Sequence, residues 1–243
     1  MKTIDNDNSS ASSERQSASQ SPVGCWIGLI VAFSVPFWFG VHLFCGGVEA
    51  PRGNKSQLRI LLSGVSAWNE WRAAHPDARI ALHGFDIGDK ELRGVNLYSA
   101  NIDRCDMTRV DLSGSSLVSA NANFSNMVGA NLSGVDARGA EFHSADLSGV
   151  DLSGSTLTGA GFDHAILLGA NLMEVDLSGA NLMFANLEEV ENWRLIEDIR
   201  CANIYGVNAP SGFRNWAIGQ GALKYDSDSY QDWLSARDEC LEK

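Results

Sequence analysis

Residues 130–154 read ANLSGVDARGAEFHSADLSGVDLSG, and the spacing within this stretch decides the fold. An apolar residue stands at every fifth position: Leu132, Ala137, Phe142, Leu147 and Leu152. Followed outward, the series runs back through Met127, Ala122, Leu117, Leu112, Met107, Ile102, Leu97, Leu92 and Ile87 to Leu82. It runs forward through Leu157, Phe162, Leu167, Leu172, Leu177 and Leu182 to Leu187. Neither a 3.6-residue nor a two-residue period fits, and self-similarity sustained at a fixed short period is the mark of a repeat architecture.

Two residues before most of these centres stands a small or β-branched side chain, as in Val95, Ala100, Cys105, Val110, Ala120, Ala130, Val135, Ala140 and Ala145, so these positions also point inward. Between the two lies mostly Asp or Asn. The sequence thus resembles the pentapeptide-repeat family, with its A(D/N)Lxx motif, over about half of the chain. The resemblance implies an all-β fold, a right-handed quadrilateral β-helix with four pentapeptides to a coil. Residues twenty apart then stack, and one interior column becomes Leu82, Ile102, Ala122, Phe142, Phe162 and Leu182. Phe142 fills the space that Ala122 leaves, and Leu92, Leu112, Leu132, Leu152 and Leu172 form a uniform column. Five or so coils at the spacing of paired strands give a rod about 26 Å long.

Both ends of such a rod are raw strand edges and need caps. Upstream, Val65, Trp68, Trp71 and Arg72 fall at helical spacings, with Ser63 or Ser66 as the start and Pro76 ending the helix at or before His75. Trp68 and Trp71 belong over the open end of the solenoid. Downstream, Ala202–Gly206 (ANIYG) is a repeat-like pentad two positions out of register. Ser211 then reads as a helix start, Phe213 and Trp216 as anchors, Gly221 as a stop, and the final SYQDWLSARDECLEK as a mostly exposed helix.

The amino-terminal quarter differs. Residues 1–21 are rich in Ser, Asn, Asp and Gln and read as a disordered polar tail. Val23 to Phe44, VGCWIGLIVAFSVPFWFGVHLF, carry no formal charge and are long enough to cross a bilayer, with Trp26 near one end as an interfacial anchor. The expected organisation is a tail (1–21), a transmembrane helix (22–45), a linker and cap helix (46–79), the solenoid (80–190) and a helical carboxy-terminal cap (191–243). Arg52, Lys55 and Arg59 on one flank against Arg15 on the other place the repeat domain on the cytoplasmic side of a bacterial inner membrane.

A formal charge of −12 without clustered Lys and Arg argues against a nucleic-acid ligand. Cys25, Cys45, Cys105, Cys201 and Cys240 lie far apart with no CxxC spacing and read as separate thiols. The outward carboxylates Asp86, Glu91, Asp106, Asp111, Asp136, Glu141, Asp146, Asp151 and Asp176 read as turn residues bonding nearby backbone. His143, Asp163 and His164 come together on one outer side, one coil apart, as a conceivable metal set. The bland reading is a chance meeting of surface side chains, and no metal or other cofactor is expected. No nucleophile with its base can be assembled, so the expectation is not an enzyme.

Phe124, Leu168, Met173, Met183 and Phe184 point outward where the family has small polar residues, and form either a partner surface or a seat for the chain's own cap helices. The function that follows is a membrane-anchored interaction or scaffold module with an unidentified protein partner. The alternative comes from the resemblance to acidic pentapeptide proteins that protect DNA gyrase by imitating duplex DNA. Here Lys90, Arg93, Arg104, Arg109 and Arg138 dilute that mimicry.

Overall fold

The computed structural model describes residues 53–225 and 229–242. The apolar Val23–Phe44 segment lies outside them, and among the described residues no helix is long and apolar enough to cross a membrane.

Parallel bridges join each repeat to the residue twenty positions on: Asn101 to Asn121, Asp106 to Asn126, Asp111 to Asn131, Ser116 to Asp136. A twenty-residue coil of four pentapeptides follows, and the domain is a β-solenoid. Side 1 contains the Leu82–Ile102–Ala122–Phe142–Phe162–Leu182 column, and sides 2, 3 and 4 start at Ile87, Leu92 and Leu97. The fifth-position residues and the small residues two before them are buried almost without exception. Inside side 1 the rings of Phe142 and Phe162 stack, 5.0 Å apart and 7° from parallel, above the slot left by Ala122.

Two inward positions held by Ser show why small polar groups survive in this core. Ser125 Oγ donates to the Ala122 carbonyl (2.6 Å) and Ser155 Oγ to that of Leu132 (2.8 Å), so neither hydroxyl is buried unpaired. Cys105 is the one free cysteine among the described residues; burial pushes its thiol up to about 11.

The amino-terminal edge is closed by side chains. The sequence pattern predicts one cap helix, but there are two, α1 (Lys55–Leu62) and α2 (Val65–Ala74). Asn54 caps α1, accepting from the backbone of Ser56 and Gln57. Gly64, rather than Ser63 or Ser66, precedes α2, and no side chain caps it. The Gln57 amide donates to the Arg79 carbonyl and accepts from Ala81 N–H. Trp68 Nε1 donates to Asn96 O (2.7 Å), Asn69 exchanges bonds with Gly94 and Asn96, and Arg72 donates to Tyr98 O. These groups replace the coil that would otherwise lie above, and Trp68 is fully buried. Trp71 is only partly buried and stacks on His75.

The ladder does not end at residue 190. Two extra residues enter on side 3, where a 3₁₀ turn spans Trp193–Leu195, and pairing resumes at an offset of twenty-two: Asp176 with Asp198, Asn181 with Asn203, Asn186 with Asn208. At the insertion, Leu172 N–H takes Asn192 Oδ1 in place of a backbone carbonyl. The out-of-register ANIYG pentad is therefore part of a further coil. α3 (Phe213–Gly219) then closes the end with Phe213 and Ala217 buried; Gly212, not Ser211, stands at its start.

α4 (Tyr230–Leu241) is largely exposed, as its sequence implies, but it is fastened at two points. Trp233 is buried and donates from Nε1 to Cys201 O (3.2 Å), and Cys240 is disulfide-bonded to Cys201. The reading of five separate thiols is thus corrected for this pair. Their separation of 39 residues hid it, because only the fold-back of α4 brings the Cα atoms to 5.8 Å.

Candidate functional site: an aromatic ladder on side 1

Each pentapeptide needs one residue in the left-handed backbone region, two positions after its centre. On side 3 this is Gly94, Gly114, Gly134 and Gly154, and on side 4 Gly139, Gly159 and Gly179 follow two serines. Side 1 is different: Arg104, Phe124, Ser144, His164 and Phe184 hold φ of 52–60°. A residue with a Cβ in this region costs roughly 1–2 kcal/mol relative to its ordinary conformation, and large aromatic rings are unusual there.

These residues form a ladder along the outside of the rod. The Arg104 guanidinium lies 5.1 Å from the centre of the Phe124 ring. Phe124 meets His143 edge-on at 5.2 Å, His143 meets His164 at 5.8 Å, His164 stacks on Phe184 at 5.0 Å, and Phe184 meets Tyr205 at 5.5 Å. Phe124 is 49% exposed and Phe184 40%, far above what a ring held only for packing retains. Gly206 makes room for Phe184, since a Cβ there would strike that ring.

Carboxylates flank the ladder. His143 Nδ1 is hydrogen-bonded to Asp163 Oδ2, and the His143 N–H donates to Asn123 Oδ1 at 2.7 Å. Gly161 leaves open the space into which the Glu141 carboxylate extends. Burial of that carboxyl, and next the charge of Asp163, push the Glu141 pKa up, against a smaller opposing effect of His143. Tyr230 of α4 borders the same group: burial first, then the charges of Glu141 and Asp163, raise its phenol.

Most other outward acids do what turn residues do. Oδ1 of Asp106, Asp111, Asp136, Asp146, Asp151 and Asp176 each accepts from the backbone N–H two residues on. The hydrogen bond from the Thr108 hydroxyl holds Asp106 below the usual carboxylate range, and that from Arg138 does the same for Asp136. Four of the repeat's cations are paired with neighbouring acids: Arg93 with Asp111, Arg104 with Asp103, Arg109 with Asp89 and Arg138 with Asp136.

Of the outward apolar residues singled out in the sequence, Phe124 and Phe184 belong to this ladder. Met173, 39% exposed, lies on side 3 and Leu168, half-buried, on side 2. Met183 is buried. His143, Asp163 and His164 do converge, but among the described residues no group of three or more His, Cys, Asp or Glu is placed to hold a metal ion. The ladder itself escapes a linear reading because its members recur every twentieth residue, and Tyr205 enters only through the two-residue insertion.

A family model described as pentapeptide repeats matches eight copies over residues 79–114, 115–154 and 155–190. No curated protein sequence matches the chain. Among solved structures, a pentapeptide repeat protein from the Arabidopsis thaliana thylakoid lumen is 24% identical, over 56% of this chain and 90% of that one, with a TM-score of 0.34. HetL, a pentapeptide repeat protein involved in heterocyst differentiation regulation in the cyanobacterium Nostoc, is 25% identical over 58% of this chain and 69% of its own, with a TM-score of 0.29. QnrB1, a plasmid-mediated fluoroquinolone resistance protein, is 17% identical over 65% and 95%, with a TM-score of 0.29. The continuous five-residue period, the twenty-residue ladder and the match over residues 79–190 together identify this part of the chain as a member of the pentapeptide-repeat family.

Proposed function

We propose that the chain is a non-enzymatic interaction module, tethered to a membrane through Val23–Phe44, whose rod presents side 1 to a protein partner. The observation that carries this reading is the ladder: Phe124, His164 and Phe184 are kept exposed in a backbone conformation that their side chains disfavour. The coil demands a left-handed residue at these positions and Gly or Ser meets that demand elsewhere, so large rings held there and left exposed point to use rather than packing.

The tether rests on the uncharged apolar run. For the orientation, the Cys201–Cys240 bridge outweighs the small excess of flanking Lys and Arg. Disulfides persist on the oxidising side of a membrane and are rare in the cytosol, so the rod faces the periplasm or its equivalent. Mimicry of duplex DNA toward a topoisomerase is the weaker reading. Paired arginines break up the acidic surface, and an extracytoplasmic rod would not meet that enzyme.

The test is fractionation of the full chain expressed in bacteria. Retention in the membrane through carbonate and release by detergent is expected, with Cys201 and Cys240 alkylated only after reduction. Release by carbonate would remove the tether. Alkylation of both cysteines without reduction would return the rod to the cytoplasm.

A further inference from the structure

Arg104 shows how side 1 receives a cation. Its guanidinium is paired with Asp103 at 2.9 Å and lies 5.1 Å from the Phe124 centroid, a carboxylate and a ring sharing one positive charge. Three coils on, Asp163, His164 and Phe184 occupy the positions of Asp103, Arg104 and Phe124, and the guanidinium is replaced by an imidazole stacked on the ring. Acid is in excess there. Asp163 bonds His143, whereas the Glu141 carboxylate accepts no hydrogen bond and forms no ion pair among the described residues, and it is partly withdrawn from water beside Asp163. The described arginines that do sit over rings are spent on Phe124, Trp193 and Trp233.

We propose that side 1 docks an arginine-bearing segment of a partner protein, with a guanidinium placed between the Glu141–Asp163 carboxylates and the His164–Phe184 rings. The proposal deepens the interaction-module reading and rests on it. Arginine fits better than lysine because its planar group can lie on a ring and still present paired N–H donors to a carboxylate. The surface is the wrong sign for phosphate or for an anionic bilayer: the chain carries −12 overall and the ladder's own cation is already matched to Asp103.

The experiment uses the detergent-solubilised full chain and three fluorescent peptides, alternating serine with arginine, lysine or glutamate, read by anisotropy across a salt series. The arginine peptide is expected to bind about fivefold more tightly than the lysine peptide, with no binding of the glutamate peptide. Its affinity should fall about tenfold in Phe124→Ser/Phe184→Ser and in Glu141→Gln. Serine is a safe replacement, since Ser144 already holds φ 53° on this side, and a single cooperative thermal transition with the wild-type circular dichroism spectrum shows that the variants fold. No arginine-peptide binding, equal affinity for arginine and lysine peptides, or unchanged affinity in folded variants overturns the proposal. Photo-crosslinking in the membrane separates it from its premise. If the wild type and the Phe124→Ser/Phe184→Ser variant capture the same protein, side 1 docking falls and the module reading stands. If the wild type captures none, that reading falls as well.

Discussion

The Glu141 carboxylate extends into the space above Gly161, where an ideal Cβ at residue 161 would lie 3.2 Å from Glu141 Cδ. Gly161 has an ordinary backbone conformation, so its role here is room rather than φ. Gly161→Ala is expected to leave the fold intact, push the Glu141 carboxylate outward and return its pKa toward the ordinary carboxylate range. Titration of the side-chain carboxyl by NMR in both proteins measures this.

Glu141 also sets a pH dependence with a definite sign. Its pKa is raised in the folded state by burial and by Asp163, so the folded chain binds its proton more tightly than the unfolded chain does. The resulting stabilisation is present in acid, below the ordinary Glu range, and is lost as pH rises through the raised value. Glu141→Gln should therefore raise the thermal midpoint at neutral pH, with the gain shrinking on acidification. Thermal unfolding across pH 3.5–7.5, spanning the ordinary Glu range, is the check. The same substitution is expected to weaken docking, which marks Glu141 as kept at a cost to stability.

Two phenylalanines, Phe162 and Phe184, close in the fold and opposite in placement, separate packing from display. Phe162, fully enclosed and stacked on Phe142, should cost about 3–5 kcal/mol when changed to Ala. Phe184→Gly should cost about 1 kcal/mol or less, because relief of the left-handed backbone offsets the lost ring contacts and the added freedom of the unfolded chain. Chemical denaturation of each variant decides; equal losses would make Phe184 a packing residue.

The Cys201–Cys240 bridge holds α4 against the last coil, beside buried Trp233. Cys240→Ser should release α4 while leaving the rod folded, because the coils above Cys201 keep their own ladder. About 2–4 kcal/mol of stability is expected to go from α4 docking. The readouts are a red shift of Trp233 fluorescence and loss of amide protection confined to 230–241. Cys105, buried with its thiol pushed up to about 11, should resist alkylation until global unfolding in both proteins.

Much of this architecture was legible because the solenoid interior takes one side chain per pentapeptide, so Leu82 to Leu187 announce it without tertiary information. The caps were less so. α1 is short and of mixed polarity, and its seat depends on Gln57 reading the backbone of Arg79 and Ala81, which no local pattern reports. The bridge from Cys201 to Cys240 required knowing where α4 folds back. The site lay between these extremes. Phe124 and Phe184 stood out as apolar residues at polar positions, and His143, Asp163 and His164 as neighbours, but their union into one ladder appears only when every twentieth residue is placed in line. Met183 shows the converse: the same sequence signal, in a residue the fold buries.

Whether one side of the rod meets a protein partner is tested most directly by site-specific photo-crosslinking of the chain expressed in cells. A photoreactive phenylalanine would replace Phe124 or Phe184 on side 1, and Ser133 or Ser153 on side 3. One protein adduct, shared by positions 124 and 184 and absent from 133 and 153, is the predicted result. Adducts of similar yield from both sides, or from side 3 alone, would contradict it.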